Sequence, residues 1–474
     1  MSLFRTIWPA LAGIFLAGGT VFGADFSKPV WLTDFSLGVR ESYDNNVFLA
    51  GATVPGGYAV PAGSLAALKD RASWITTVSP KVGVNFSPLL GATNVFSQLA
   101  LTYAPDFAAY HDQDSESYSA HRLLAAIKGG SDTIVLTAEN TFTYVDGSGA
   151  GPFYPGGLYS AMATTADRER RRQIQDRATA SVRLDYGKSF FRPTASLIYY
   201  DLMTAQLNVT GYQNYADRCD VNGGADLGYQ LTPRFAVTLG YRYGRQYQEQ
   251  FAFATNSSPS DYQRMLVGVE GNPVRWLNVK IIGGPDFRNY EGDSAGHVTP
   301  VNDLHPVKFY GEALIAATLT PRDALTFKYK LWQWVSGTGK VPYFEGGYDL
   351  AYHRKVTDKL GLDLGGKILS WDYTGGNLAT CRRNDLEFSL SGALNYNLNA
   401  RVSFNLGCGF DWGTQCRGQS GERLRTRVRP AVVHAGNDLE VLARGRDRQV
   451  ARYFFAARFC TCRSMRSLAS MSCS

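Results

Sequence analysis

Long apolar runs are scarce in this chain. After the N-terminus no stretch is apolar for the roughly 20 residues that a membrane-spanning helix needs, so a bundle of such helices is excluded. Nowhere in the 474 residues does the apolar spacing become that of an amphipathic helix. Cysteine is scarce where a fold would use it: Cys219 stands alone through the first 380 residues, and the other six crowd the remainder. A disulfide framework would be spread over the fold, so none is expected. The six histidines lie at 111, 121, 297, 305, 353 and 434, and none has a second His or Cys at metal-ligand spacing. His111-Asp112 with Asp114 and Glu116 reads as a solvated loop. No Gly-x-Ser-x-Gly elbow or P-loop occurs in a strand–helix context, so the chain is read as a non-enzyme with no cofactor. Lysine is missing from Gly413–Ser474, which holds twelve Arg and four acids, a net of +8. The whole chain is +7, leaving −1 for residues 1–412. The basic balance therefore belongs to the tail and is no pointer to nucleic acid.

What is present is alternation. From Asn384 to Trp412 the chain reads as two long strands around the tight break Asn399-Ala400-Arg401. Leu386, Phe388, Leu390, Leu394 and Tyr396 take one face, and Glu387, Ser389, Ser391 and Asn395 the other. Strict period-2 patterning is a strand with one apolar and one wet face. Strands of soluble proteins run to about 5–6 residues, whereas a tilted strand crossing a bilayer needs about 9–11. The unit is the hairpin of a transmembrane β-barrel, apolar outside and polar inside.

Tight breaks recur at 87–91, 129–132, 187–189, 232–234, 272–275, 320–323, 357–359 and 399–401, rich in the Gly, Pro, Asp and Asn that set turn geometry. Longer polar segments alternate with them, the largest being 51–69 and 146–172. Eight turns and nine loops predict about 18 antiparallel strands (16–18), of which seventeen are visible. Short turns at one end and long loops at the other is the layout of an outer-membrane barrel. Trp276, Trp332, Trp334, Trp371 and Trp412 fit interfacial girdles.

Residues 1–23 read as a secretory signal peptide, with Arg5 ahead of a short apolar core. Residues 24–412 are expected to form the barrel, and 413–474 an irregular Arg- and Cys-rich tail. For the tail the leading reading is a shifted frame near 408–416. A basic extension meeting lipopolysaccharide or peptidoglycan and a degraded closing strand at Gln449–Phe459 stay open.

Glu41-Ser42-Tyr43-Asp44-Asn45-Asn46-Val47-Phe48-Leu49, closing the first strand, resembles the opening of outer-membrane β-barrel porin families of Gram-negative bacteria. The resemblance implies location in the cell outer membrane and partnership with its lipid, lipopolysaccharide and barrel-assembly machinery. The missing strand after Trp412 departs from it. The wet faces carry Arg122, Arg183, Arg242, Lys328, Lys330 and Lys367 against Asp185, Asp226, Asp363, Glu387 and Asp411, the candidate lumen lining. Arg168, Arg170, Arg171 and Arg172 end the third loop, which is expected to fold inward as a constriction and select ions. The function read from this is passive diffusion of small hydrophilic solutes or ions. A structural or export component for envelope polysaccharide and a barrel hydrolase are the alternatives.

Overall fold

Strands form wherever the alternation is strict. The computed structural model describes residues 29–44, 72–147, 173–203, 216–249, 259–291, 303–335, 342–373, 383–399, 402–417, 425–427 and 433–434. In chain order the strands are β1 (Leu32–Asp44), β2 (Ser73–Asn85), β3 (Phe96–Tyr103), β4 (Asp106–Tyr110), β5 (Tyr118–Gly130), β6 (Ile134–Asp146), β7 (Gln173–Tyr186), β8 (Ser189–Asp201), β9 (Arg218–Thr232) and β10 (Phe235–Gln248). They continue with β11 (Ser260–Val274), β12 (Leu277–Tyr290), β13 (Val307–Thr320), β14 (Asp323–Trp334), β15 (Tyr343–Lys355), β16 (Leu360–Tyr373), β17 (Arg383–Asn397), β18 (Ser403–Arg417), β19 (Arg425–Arg427) and β20 (Val433–His434). All pair antiparallel in one sheet. β3 and β4 share one stave, since both pair with β2 and with β5. The stave breaks at Ala104-Pro105, where proline has no N–H for the ladder.

The eighteenth stave is built from fragments. β19 and β20 continue one another along β18, with Gly413 facing Arg427 and Cys408 facing Val433. Val433 also faces Tyr43, which joins the stave to β1 and closes the wall. β18 runs on to Arg417, past the expected end at Trp412, and pairs with β17 along that whole length. The break in alternation after Trp412 therefore does not end the sheet, because ladder bonds use the backbone and not the side chains. The signal segment, Arg168, Arg170, Arg171, Arg172 and the segment 449–459 lie outside the described residues.

The eight predicted turns all join strands at one end, four of them reduced to two residues between strands: 187–188, 233–234, 275–276 and 321–322. Gly187 has φ 65°, a left-handed value that favours glycine. The nine longer connections lie at the other end.

Alternation sorts the two faces. On β10, Val237, Leu239, Tyr241 and Tyr243 point outward and are exposed, while Ala236, Thr238 and Gln246 point inward and are buried. Leu239 is 59% exposed, Val267 66% and Leu390 63%. A continuous apolar band of this kind around a closed wall is a lipid-facing surface. No described helix is long and apolar enough to cross a membrane; the strands, mostly 12–15 residues long, make the crossing.

Candidate functional site: the inner wall

One transverse row runs around much of the interior. Glu270, Lys280, Leu314, Lys328, Asp349, Lys367, Ser389 and Asp411 are successive partners from β11 to β18. Each sits at an inward position of its strand, so the row sets charges of both signs along the wall. Lys280, Lys328 and Lys367 are exposed to the interior. Lys330 pairs with Glu312 at 3.2 Å, both half open. His353 Nδ1 lies 2.6 Å from Asp363, which also accepts from Asn395. Arg122 pairs with Asp106 beside the β3–β4 break. Glu387 lies on the same inward face of β17, half-buried; Asp411 is placed by register alone.

The opposite half of the wall, β7–β12, is closed up by ion pairs. Arg192 binds Asp226 (2.9 Å) and, through both Nη atoms, Glu270 (2.9 and 2.8 Å). Arg242 takes the other oxygen of Asp226 at 2.7 Å. Arg183 binds Asp185 at 2.8 Å and stacks over Phe190 at 3.9 Å. Nearer the loop end, Arg264 donates from Nε to Asp286 at 2.7 Å and lies between the Tyr262 and Tyr310 rings, 4.0 and 4.1 Å from their centroids. Arg288 binds Asp286 and Gln246, and Asp220 accepts from Gln246 and Tyr262, all buried. Charges matched at this density attract few mobile ions; bidentate and charge-assisted bonds spend the field locally.

The loop end of β14 leaves the wall. The β12–β13 ladder runs to Val307, but the β13–β14 ladder stops at Gly311–Leu331. Trp332, Gln333 and Trp334 keep only β15 as a partner. Contacts of Gln333, Trp334 and Val335 lie across the lumen. Gln246 Nε2 donates to Gln333 O at 3.0 Å, and Arg218 Nη1 to Val335 O at 3.0 Å. Trp334 packs edge-on against Tyr200, centroids 6.2 Å apart. Tyr200, Trp334, Tyr343 and Trp371 form a buried cluster, and Glu345 accepts the indole N–H groups of both Trp332 and Trp371.

This corrects the reading of Trp332, Trp334 and Trp371 as girdle residues. They occupy inward positions, and the interior aromatic cluster replaces lipid as their apolar surroundings. Trp276, beside a short turn, is 51% exposed. The side chain of Trp412 lies outside the described residues. Arg183, Asp185, Asp226, Arg242, Lys328, Lys330, Asp363 and Lys367 do share the inner face, but they fall into a locked half and an open half. Arg218, Asp220, Gln246, Arg264, Asp286 and Arg288 were missed, although their inward alternation could have located them. Among the described residues no group of three or more His, Cys, Asp or Glu is placed to hold a metal ion. At the loop end of β2, His111 Nε2 lies 2.7 Å from the buried Thr76 hydroxyl, which donates to Glu41. That hydroxyl is committed to a carboxylate.

At the rim, Asp217 precedes β9. Desolvation, then Asp201 and Glu249, push its carboxyl up to about 6, against the Leu202 N–H bond and Arg218, which pull it down. Asp217 accepts from Leu202 N at 2.9 Å.

No family model and no curated protein matches the chain. Among solved structures it is similar to the ferric citrate transporter FecA in its unliganded form, at 12% identity and TM-score 0.40, covering 86% of this chain and 64% of that one. The siderophore receptor PirA from Pseudomonas aeruginosa matches at 8% identity and TM-score 0.37, covering 86% and 76%. The copper transporter OprC matches at 7% identity and TM-score 0.38, covering 86% and 65%. The chain thus spans less than two thirds of the length of the first and third of these.

Proposed function

We propose that the chain is an outer-membrane channel that lets small hydrophilic solutes or ions diffuse passively. The observation that carries this reading is the division of the wall: a lipid-facing apolar outside and, on β12–β17, an inside whose charged groups are open to the lumen. A closed sheet is what a bilayer demands, because each unsatisfied backbone group in lipid costs several kcal/mol. Barrels of about 16–18 strands enclose room for an aqueous path. Exposed Lys280, Lys328 and Lys367 set against Asp349 and Asp363 favour weak ion selectivity. The lipid around such a wall and small solutes inside it are the partners implied. Ohmic steps in a planar bilayer, with a reversal potential near zero in a salt gradient, are the expected result. A silent membrane carrying demonstrably inserted protein would overturn the reading.

A second reading is favoured by the inward end of β14. A barrel partly filled by its own wall suits a structural or export component of the envelope, and silent insertion would point there.

A further inference from the structure

The narrowest part of a barrel is usually sought in a loop. Here the described residues offer another candidate. The strands β10 and β14 are four strand spacings apart along the wall, roughly 19 Å at about 4.8 Å each. Yet Gln246 touches the Gln333 carbonyl at 3.0 Å. β8 and β14 are six spacings apart, roughly 29 Å at the same spacing, yet Tyr200 and Trp334 have ring centroids at 6.2 Å. Side chains alone do not span these gaps. The end of the β14–β15 hairpin must tilt into the lumen, and the ladder agrees: β14 parts from β13 beyond Leu331 while staying paired with β15 through Trp334–Tyr343.

From this geometry we infer that Trp334 and Val335 form the constriction of the channel, a wall segment latched across the lumen by Arg218, Gln246 and Arg288, whose Nη2 donates to the Gln333 carbonyl at 3.5 Å. The inference rests on the channel reading above and adds where its passage narrows and what holds it. The latch is chemically specific. Its donors are buried side chains: Arg218 is 3% exposed, Gln246 0% and Arg288 3%. Asp220 orients Gln246, and Asp286 orients Arg288. The acceptors are backbone carbonyls, freed because Gln333 and its neighbours have left the β13 ladder. An unmade bond to a buried carbonyl is costly, so the latched state is the resting one. Arg218 also lies over the Tyr200 and Trp334 rings, at 4.9 and 5.4 Å from their centroids, tying the hydrogen-bonded and aromatic contacts together. Release would return the hairpin end towards the gap beside Val307–Tyr310 and widen the path on the β7–β12 side.

The test uses the full chain reconstituted in lipid, with circular dichroism confirming the fold of each variant. Arg218→Ala and Gln246→Ala are compared with the unaltered protein in single-channel recordings. The expected result is a larger unitary conductance in each, about two-fold or more if the segment is the limiting radius. Conductance equal to that of the unaltered channel in both variants would overturn the inference and leave the channel reading intact. A second readout does not need conduction. Val335, 1% exposed, is replaced by Cys, and its labelling by a water-soluble thiol reagent is followed by peptide mass. Labelling should be slow with Arg218 present and fast in the Arg218→Ala background. Equal rates would overturn the latch. Different rates in a protein that never conducts would keep the latch and remove the channel.

Discussion

At the residue scale the interior is a packed lattice of charge and ring. Phe190, 2% exposed, fills the space over Gly228 and is itself held by Arg183 and Arg192. A Cβ at Gly228 would fall within the Phe190 ring, and the flanking guanidinium groups leave the ring little room to give. Gly228→Ala should therefore destabilise by about 1–3 kcal/mol, as overpacking does. Urea titration in lipid vesicles would show it, and an unchanged midpoint would mean that the ring moves freely. Asp226 is the harder case. Its side chain is 2% exposed and each oxygen holds a different arginine, Arg192 and Arg242. Asp226→Asn keeps the shape and removes the charge, leaving two arginines in a poorly hydrated site. Breaking a buried pair costs about 3–5 kcal/mol, so a comparable drop is expected; a loss well below 1 kcal/mol would show that water already reaches these groups.

Among the elements, the strands and turns were legible and the long-range packing was not. Alternation on β17 placed Leu386, Phe388, Leu390, Leu394 and Tyr396 on the lipid side, and Gly, Pro, Asp or Asn marked each of the eight turns. These are local signals, since a turn is set by two to four residues and a face by its neighbours. The departure of Trp332–Trp334 from the wall has no such signal. It depends on Arg218 and Gln246, 117 and 87 residues distant from their carbonyl partners, and tryptophan at a strand end looks the same whether it meets lipid or another ring. Two measurements act at this scale. Leu390, mid-way along β17 and 63% exposed, faces lipid. Leu390→Arg should cost about 2–4 kcal/mol in a bilayer, and Ser389→Arg, whose neighbours in the ladder are Lys367 and Asp411, much less. Equal costs would mean the two faces are not differently solvated. At the β8–β9 rim, Asp217 titrates near 6 when folded against an ordinary value of 3.8. A raised carboxyl means that the folded state holds its proton longer than the unfolded one. Rim stability should then fall as pH rises from about 4 to about 6 and level off above, where both states are ionised. Amide exchange at Leu202, corrected for the intrinsic pH effect, should speed up across that window. A flat profile would show that Asp217 stays solvated beside Asp201, Glu249 and Arg218.

The whole molecule raises a question that neither scale answers: how the wall ends meet. Every stave from β5 to β17 has a partner along most of its length on both sides. β1 does not. Among the described residues it pairs with β2 from Leu32 to Asp44, and on its other side the ladder between described strands is the Tyr43–Val433 pair. The lower part of β18, below Gly407, likewise faces no described strand on that side. The chain near this stave reads Arg423-Leu424-Arg425-Thr426-Arg427-Val428-Arg429-Pro430, alternating but short, and Pro430 cannot donate to a ladder. This stretch follows 408–416, where the shifted-frame reading puts its break. If fragments β19 and β20 are all that closes the wall, the seam-side amides of β1 below Tyr43 should exchange with deuterium much faster than those of β10, which is paired on both sides along most of its length. The comparison is made on protein in lipid, where a paired strand of this length is protected for hours or longer. Fast exchange confined to the β1–β18 seam would mark a barrel held by one backbone contact, and resequencing of the gene should then reveal a frame that restores about ten alternating residues. Uniform protection along β1 would refute the shifted-frame account, because it would require a full-length eighteenth strand from the tail as it stands.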